Sequence, residues 1–206
     1  MKCKIIFSVA MTCLIFSCNN GKRKIVGSTP FQKQLNAQYK DASRSPLTDK
    51  DRREFKGLPF FDLDSSYVVN AMLTKTPNSK WVNMKTTTSR LSKQRLYGVL
   101  KFKIKDSFFK LNVYQGENPT TDSGLDDYLF LPFLDKTNGE ETYSGGRYID
   151  LDFPSEHKKT LVLDFNKAYN PYCAYNSKYS CPIVPRENYL KTKIKAGVKL
   201  DKSMRH

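Results

Sequence analysis

Seven side chains in the C-terminal half of the chain carry groups that could do chemistry: Arg147, Asp150, Asp164, Asn166, Asn170, Glu187 and Asn188. They stand among strand-forming aromatics, where ionisable and amide groups are costly to bury unless they satisfy one another. Two arrangements account for them. In one they are struts, with Asn166 and Asn170 bonding backbone at the Asn170-Pro171 turn and Arg147 pairing with Asp150 or Asp164. In the other they converge in a pocket. Arg147, Asp150, Asn166, Asn170 and Asn188 are then binding groups, Arg147 meets a carboxylate or phosphate, and Asp164 and Glu187 share acid/base catalysis. Spacing along the chain leaves both open, because the partners lie on separate strands.

Cys173 and Cys181 stand eight positions apart. In an exported protein the first reading is a disulfide, worth roughly 2–3 kcal/mol by loop closure. Reactive thiols or a metal pair are the alternatives, and neither has a third partner nearby. Tyr169, Tyr172, Tyr175 and Tyr179 surround the pair and could stack on a sugar or pack a turn. The only histidines are His157 and His206, and they form no metal-ligand spacing. No Gly-rich phosphate loop is present, so neither a metal nor a cofactor is expected.

The N-terminus reads as an address. Lys2 and Lys4 precede an apolar run over 5–16, about half of what a helix needs to cross a hydrocarbon core of roughly 30 Å. The run ends Leu14-Ile15-Phe16-Ser17-Cys18 and resembles a bacterial lipoprotein signal, in which the Cys18 thiol carries the lipid. Acyl chains at about 0.8 kcal/mol per buried methylene then anchor the mature chain on a membrane without spanning it. The expected organisation is a signal peptide over 1–17, a tether over 18–28, one β-rich domain over 29–200 and a basic tail over 201–206. The residues after Cys18 carry neither an adjacent Asp nor an acidic run, which favours the periplasmic face of an outer membrane. In that compartment nucleic acid is not an expected partner.

The elements that must position these groups read mainly as strands. Thr29 with Pro30 starts one helix, whose Phe31, Leu35 and Tyr39 form an apolar edge, and Thr48 starts a second that stops at Gly57. Beyond Leu58, alternation predicts strands over 67–74, 80–87, 97–105, 108–114, 128–133, 142–153, 160–165 and 189–194. The clearest hairpin turns Phe102 and Ile104, with Phe109, Leu111 and Val113, toward a core and leaves the lysines outside, where they protect sheet edges. The sequence therefore predicts a mainly β, single-domain antiparallel barrel or sandwich with a short helical N-terminal segment. The formal charge of +15 is unevenly spread: the stretch 111–190 holds seven basic and twelve acidic residues and is net negative.

Gly145-Gly146-Arg147-Tyr148-Ile149-Asp150-Leu151, then Leu163-Asp164-Phe165-Asn166-Lys167-Ala168-Tyr169-Asn170-Pro171-Tyr172-Cys173-Ala174-Tyr175, then Cys181-Pro182 and Glu187-Asn188-Tyr189-Leu190, resemble the domain-of-unknown-function 1684 family. Phe55-Lys56-Gly57-Leu58-Pro59-Phe60-Phe61 and Asp127-Tyr128-Leu129-Phe130-Leu131-Pro132-Phe133 extend the resemblance upstream. The chain departs from the family pattern at Ile183-Val184-Pro185-Arg186 and at Ala196-Gly197-Val198-Lys199. The resemblance brings no assigned activity with it. Two functional expectations follow from the residues. One is a lipid-anchored envelope protein that binds an envelope polymer, a lipid head group or a partner protein; the other is a periplasmic, hydrolase-like enzyme built on Asp164, Glu187 and Arg147.

Overall fold

The computed structural model describes residues 26–117 and 128–201. The expected leader, the expected lipidation site Cys18, most of the expected tether and all of the tail after Asp201 lie outside the described residues. Among the described residues two α-helices, α1 (Pro30–Lys40) and α2 (Asp49–Glu54), precede eight strands. These are β1 (Val68–Lys75), β2 (Trp81–Lys85), β3 (Leu91–Ile104), β4 (Ser107–Gly116), β5 (Tyr128–Asp135), β6 (Arg147–Asp152), β7 (Thr160–Asp164) and β8 (Tyr189–Leu190). Both helices start where the capping residues predict: the hydroxyls of Thr29 and Thr48 accept the backbone N–H of Gln32 and Asp51. Leu35 and Tyr39 of α1 pack with Leu47, Phe55, Leu58 and Tyr175 in a small core of their own.

The strands form one curled sheet, an open half-barrel, in the order β6-β5-β4-β3-β1-β7, with β2 also on β3 and β8 on β5. All pairings between named strands are antiparallel except the two-residue contact of β5 with β8. The predicted hairpin is β3–β4, with Phe102 opposite Phe109 and the turn on Lys105 and Asp106. Phe102, Ile104, Leu111 and Val113 are buried and Lys101, Lys103 and Lys110 exposed, as period two requires. β3 is longer than predicted because, besides β4, it serves two partners along its other edge: its first half pairs with β2 and its second with β1. Gly98 marks the change. A Cβ there would stand 2.6 Å from the Thr74 carbonyl oxygen, so a larger residue would push β1 away.

Four predicted strands are shorter in the structure: 80–87 keeps 81–85, 160–165 ends at 164, and two others lose more. The 142–153 strand begins only at Arg147, because residues 135–146 form a turn held by the Asp135, Thr137, Asn138 and Thr142 side chains. Gly146 ends that turn at φ +92°, with room for no Cβ beside the Phe133 carbonyl oxygen at 2.7 Å. The 189–194 strand stops at Leu190. Ile194 is buried, and Lys193 reaches Glu140 and Glu141 while Lys195 reaches Glu141, so both lysines are paired with acids.

The main core lies on one face of the sheet, where Leu100, Leu111, Leu129, Phe133 and Ile149 meet Phe165 and Ile194 of the C-terminal segment. β5 and β6 are covered on their other face too. There Phe130 and Tyr148 pack with Tyr114, Cys181 and Val184. Among the described residues no helix is long and apolar enough to cross a membrane.

Candidate functional site

Alternation along β6 decides which of the predicted site residues can meet. Arg147, Ile149 and Leu151 point into the main core, while Tyr148, Asp150 and Asp152 point to the opposite face. Arg147 therefore does not pair with Asp150. It is fully buried and its Nη2 donates to Asp135 Oδ2 at 2.8 Å and to the Ile194 carbonyl at 2.8 Å, while Nη1 donates to the Ala196 carbonyl. The guanidinium also lies over the Phe133 ring, 5.2 Å from its centroid. Burial pulls Arg147 below its ordinary value and Asp135 opposes that pull. Nor is Asp164 its partner: that carboxylate accepts the backbone N–H and side-chain amide of Asn166, both at 2.9 Å, and caps the short turn Phe165–Lys167.

The three asparagines are bonded to protein as well, apart from the buried Asn170 Oδ1, which has no partner among the described residues. Asn166 pairs with the backbone of Asp64, accepting its N–H at 3.2 Å and donating to its carbonyl at 3.0 Å. Asn188 accepts the Asn112 N–H at 2.8 Å and donates to the carbonyls of Asn112 and Pro132 at 2.8 and 2.6 Å. Asn170 donates to the Tyr175 hydroxyl at 3.0 Å and to the Lys199 carbonyl at 3.4 Å. Glu187 is exposed in the turn Arg186–Asn188. Arg147, Asp164 and Glu187 share no hydrogen bond or ion pair among the described residues, and none of them lines the cleft described next.

Asp150 is the one of the seven polar candidates that lines a cleft, and it does so with Tyr169, Tyr172, Tyr179 and Cys181, which the sequence also singles out. A broad, half-open cleft of about 1120 Å³ runs between α1, β3 and the outer face of β5 and β6, with Tyr128, Phe130, Tyr148, Tyr169 and Tyr172 on its walls. The rings hold one another edge to face: Tyr148 meets Phe130 at 4.7 Å and Tyr169 at 6.0 Å between centroids. The Tyr169 hydroxyl stands 2.8 Å from both Asp150 oxygens. Water can touch Asp150 through the cleft, yet protein crowds it from most sides. Burial pushes its carboxyl up to about 7, against the Tyr169 hydrogen bond, which lowers it.

This shift fixes a pH dependence. Between the ordinary value of 3.8 and about 7 the native state holds a proton that the unfolded chain has released. The contribution of Asp150 to stability therefore falls as pH rises through that window and is flat above it. Asp150→Asn accepts the same Tyr169 hydrogen bond without the charge. Its stability relative to the parent should rise by about 2 kcal/mol between roughly pH 5 and pH 8 in urea unfolding. A difference that does not change with pH would contradict the buried, raised carboxyl.

Residues 53–199 match the family described as protein of unknown function (DUF1684). The chain belongs to this family. It is also similar to the solution NMR structure of an uncharacterized protein from gene locus rrnAC0354 of Haloarcula marismortui, with 30% identity over 84% of this chain and 96% of that one, and a TM-score of 0.64. No curated protein matches the chain.

Asp150, the cleft tyrosines and the two cysteines all fall within the DUF1684 region. Cys173 and Cys181 are both thiols in the structure and are hydrogen-bonded to each other, so the predicted bridge is not formed there. The Cys173 backbone N–H also points at the Cys181 sulfur, 3.2 Å away. The hydrogen bond from Cys181, helped by Thr87 and Tyr143, lowers Cys173 to about 7, while donating that bond and burial raise Cys181. In the reduced protein, iodoacetamide at neutral pH should therefore modify Cys173 at least roughly ten-fold faster than Cys181. Peptide mapping reads the two rates, and equal rates would refute the asymmetry. Among the described residues no cluster of His, Cys, Asp and Glu is arranged to hold a metal.

Sequence reasoning within DUF1684 missed Asp135, the true partner of Arg147, and Tyr128, Phe130 and Tyr148 as cleft residues. The signal for all of them was strand parity. Asp135 shares the inward face of β5 with Leu131 and Phe133, and the cleft aromatics alternate with inward Leu129, Leu131 and Ile149.

Proposed function

We propose that this protein is a lipid-anchored component of the cell envelope, held at the periplasmic face of the outer membrane through Cys18, that acts by binding and not by catalysis. The cleft over β5 and β6 is its binding site, and its partner is an envelope polymer, a lipid head group or a protein. The observation that carries the binding reading is the contrast between two sets of groups. The cleft gathers aromatic side chains, among them Tyr128, Tyr148, Tyr169 and Tyr172, with Asp150, whereas Arg147, Asp164 and Glu187, the trio that an enzyme would use, are a buried strut, a turn cap and an exposed side chain. The residues that precede the described region support the anchor by type and order alone. In an oxidising periplasm, Cys173 and Cys181 are adjacent enough to form the bridge that their compartment favours.

Two experiments test the reading. Labelling cells with a clickable palmitate should mark the chain and leave Cys18→Ala unmarked; persistent labelling of the variant removes the anchor. Full-length protein should capture lipopolysaccharide, peptidoglycan or anionic vesicles, and Tyr172→Ala in the cleft should abolish that capture. Raising salt separates the cleft from attraction through exposed lysines, which ions screen. Failure to capture any of the three overturns the envelope-polymer and lipid head-group readings of the cleft.

A further inference from the structure

The cleft contains an electrostatic imbalance. Asp150 is a carboxylate set among tyrosines, its one side-chain hydrogen bond comes from the neutral Tyr169 hydroxyl, and no cation among the described residues acts on it. A carboxylate removed from water without a positive partner is costly, and its usual outcomes are protonation or a cation. The groups that face it are the hydroxyls of Tyr128, on β5, and of Tyr169 and Tyr172, from one stretch after β7. Of the other charged groups on the cleft, Asp152 follows on the same strand face, Lys93 is paired with Glu117, and Arg90 donates to the Ser180 carbonyl at 2.7 Å. Arg44 and Lys167 complete the charged lining, and neither compensates Asp150.

Aromatic walls around an acid with no cationic partner are the chemistry that receives an organic cation. Ring quadrupoles attract positive charge over their faces, and a quaternary or primary ammonium group keeps apolar substituents that the rings also cover. An anionic ligand would meet Asp150 unfavourably, and a neutral one would leave its charge uncompensated. We propose that the aromatic end of the cleft binds an ammonium group, with Asp150 as its counter-ion. This rests on the cleft being the binding site and adds the class of ligand. The group can belong to a lipid head group or to a free amine, since both present the same chemistry to Asp150.

The test uses full-length protein with ring-labelled tyrosine, followed by NMR. The probes are choline, ethanolamine and 3,3-dimethylbutan-1-ol, the neutral counterpart of choline in shape. Choline or ethanolamine should shift the Tyr128, Tyr148 and Tyr169 resonances saturably, with the neutral alcohol at least roughly ten-fold weaker. Asp150→Asn should weaken ammonium binding by at least about ten-fold while its circular dichroism stays unchanged. The apparent affinity should also fall roughly ten-fold from pH 8 to pH 6 as the acid takes up its proton. Vesicles bearing ethanolamine head groups, compared with free ethanolamine, distinguish the lipid source from the soluble one. Equal affinity for choline and the alcohol, affinity unchanged in Asp150→Asn, or no shift with either ammonium probe overturns the inference. The envelope-polymer and lipid head-group readings of the cleft survive those results if lipopolysaccharide, peptidoglycan or anionic vesicles still perturb the same rings, and fall only if they do not.

Discussion

Arg147→Ala is expected to destabilise the fold by about 3–5 kcal/mol, because it leaves the Asp135 carboxylate buried without its cation. Both side chains are fully buried, and the guanidinium also satisfies the carbonyls of Ile194 and Ala196. Truncation thus orphans three acceptors at once and opens a space beside Phe133. For a domain whose total stability is of order 5–15 kcal/mol, a loss of this size leaves a substantial unfolded fraction at growth temperature. Urea unfolding of the parent and variant measures it, and a change below about 1 kcal/mol would show that the pair is not the strut described here. Replacing both partners by apolar residues should recover only part of the loss. Asp135 also accepts the backbone N–H and hydroxyl of Thr137 and the N–H of Ile194, and an apolar residue cannot. The contrast with Asp150→Asn is informative: one buried acid is compensated and its partner's removal is damaging, while the other is uncompensated and its neutralisation is favourable.

Asn188→Ala should cost roughly 2–4 kcal/mol, a large effect for one neutral side chain, since each orphaned buried polar group costs about 1–3 kcal/mol before water relieves it. The reason lies in the ladder between β4 and β5, which has a single paired position, Tyr114 opposite Phe130. Continuing that register would set Asn112 opposite Pro132, but Pro132 has no N–H to offer. The Asn188 amide takes up the place, accepting from the Asn112 N–H and donating one hydrogen to each of the two carbonyls. All its capacity needed there is used. Asn188→Asp, nearly the same in shape, should be at least as harmful, because it turns a carboxylate oxygen toward two carbonyl oxygens. Thermal melts of the two variants check the order, and an aspartate variant as stable as the parent would contradict the bridging role.

The fold was largely legible because its devices are local. Threonine caps, the Pro30 start and the Lys-Phe-Lys-Ile alternation of the β3–β4 hairpin act over a few residues, and the structure keeps them. Element ends failed where side chains from a neighbouring turn intervened, as at residues 142–146. The site was less legible, since all five of Asp164, Asn166, Asn170, Glu187 and Asn188 have the right chemistry for a pocket, but the asparagines are used by distant backbone, Asp164 caps its own turn and Glu187 is exposed. Asn188 meets Asn112 and Pro132, and Asn166 meets Asp64, contacts that no spacing rule anticipates. Arg147 and Asp150 were different. Their odd separation on one strand already placed them on opposite faces, so an ion pair between them could have been set aside from the sequence.

The strand order carries a consequence for how the chain reaches this fold. β6 and β7 occupy the two ends of the order although only residues 153–159 separate them in sequence, and β1 is paired on its outer side by β7, with Val68 opposite Asp164. Contacts of such long sequence separation form late, after the entropy of closing the intervening chain has been met. As the chain emerges N-terminal end first, β1 can pair with β3 long before β7 exists, and its other flank then presents a row of unmatched N–H and C=O groups beside exposed Val68 and Met72. A bare edge of that kind recruits strands from other molecules. β7 is therefore a guard as well as a strand, and chains cut short before Thr160 are the ones that escape it.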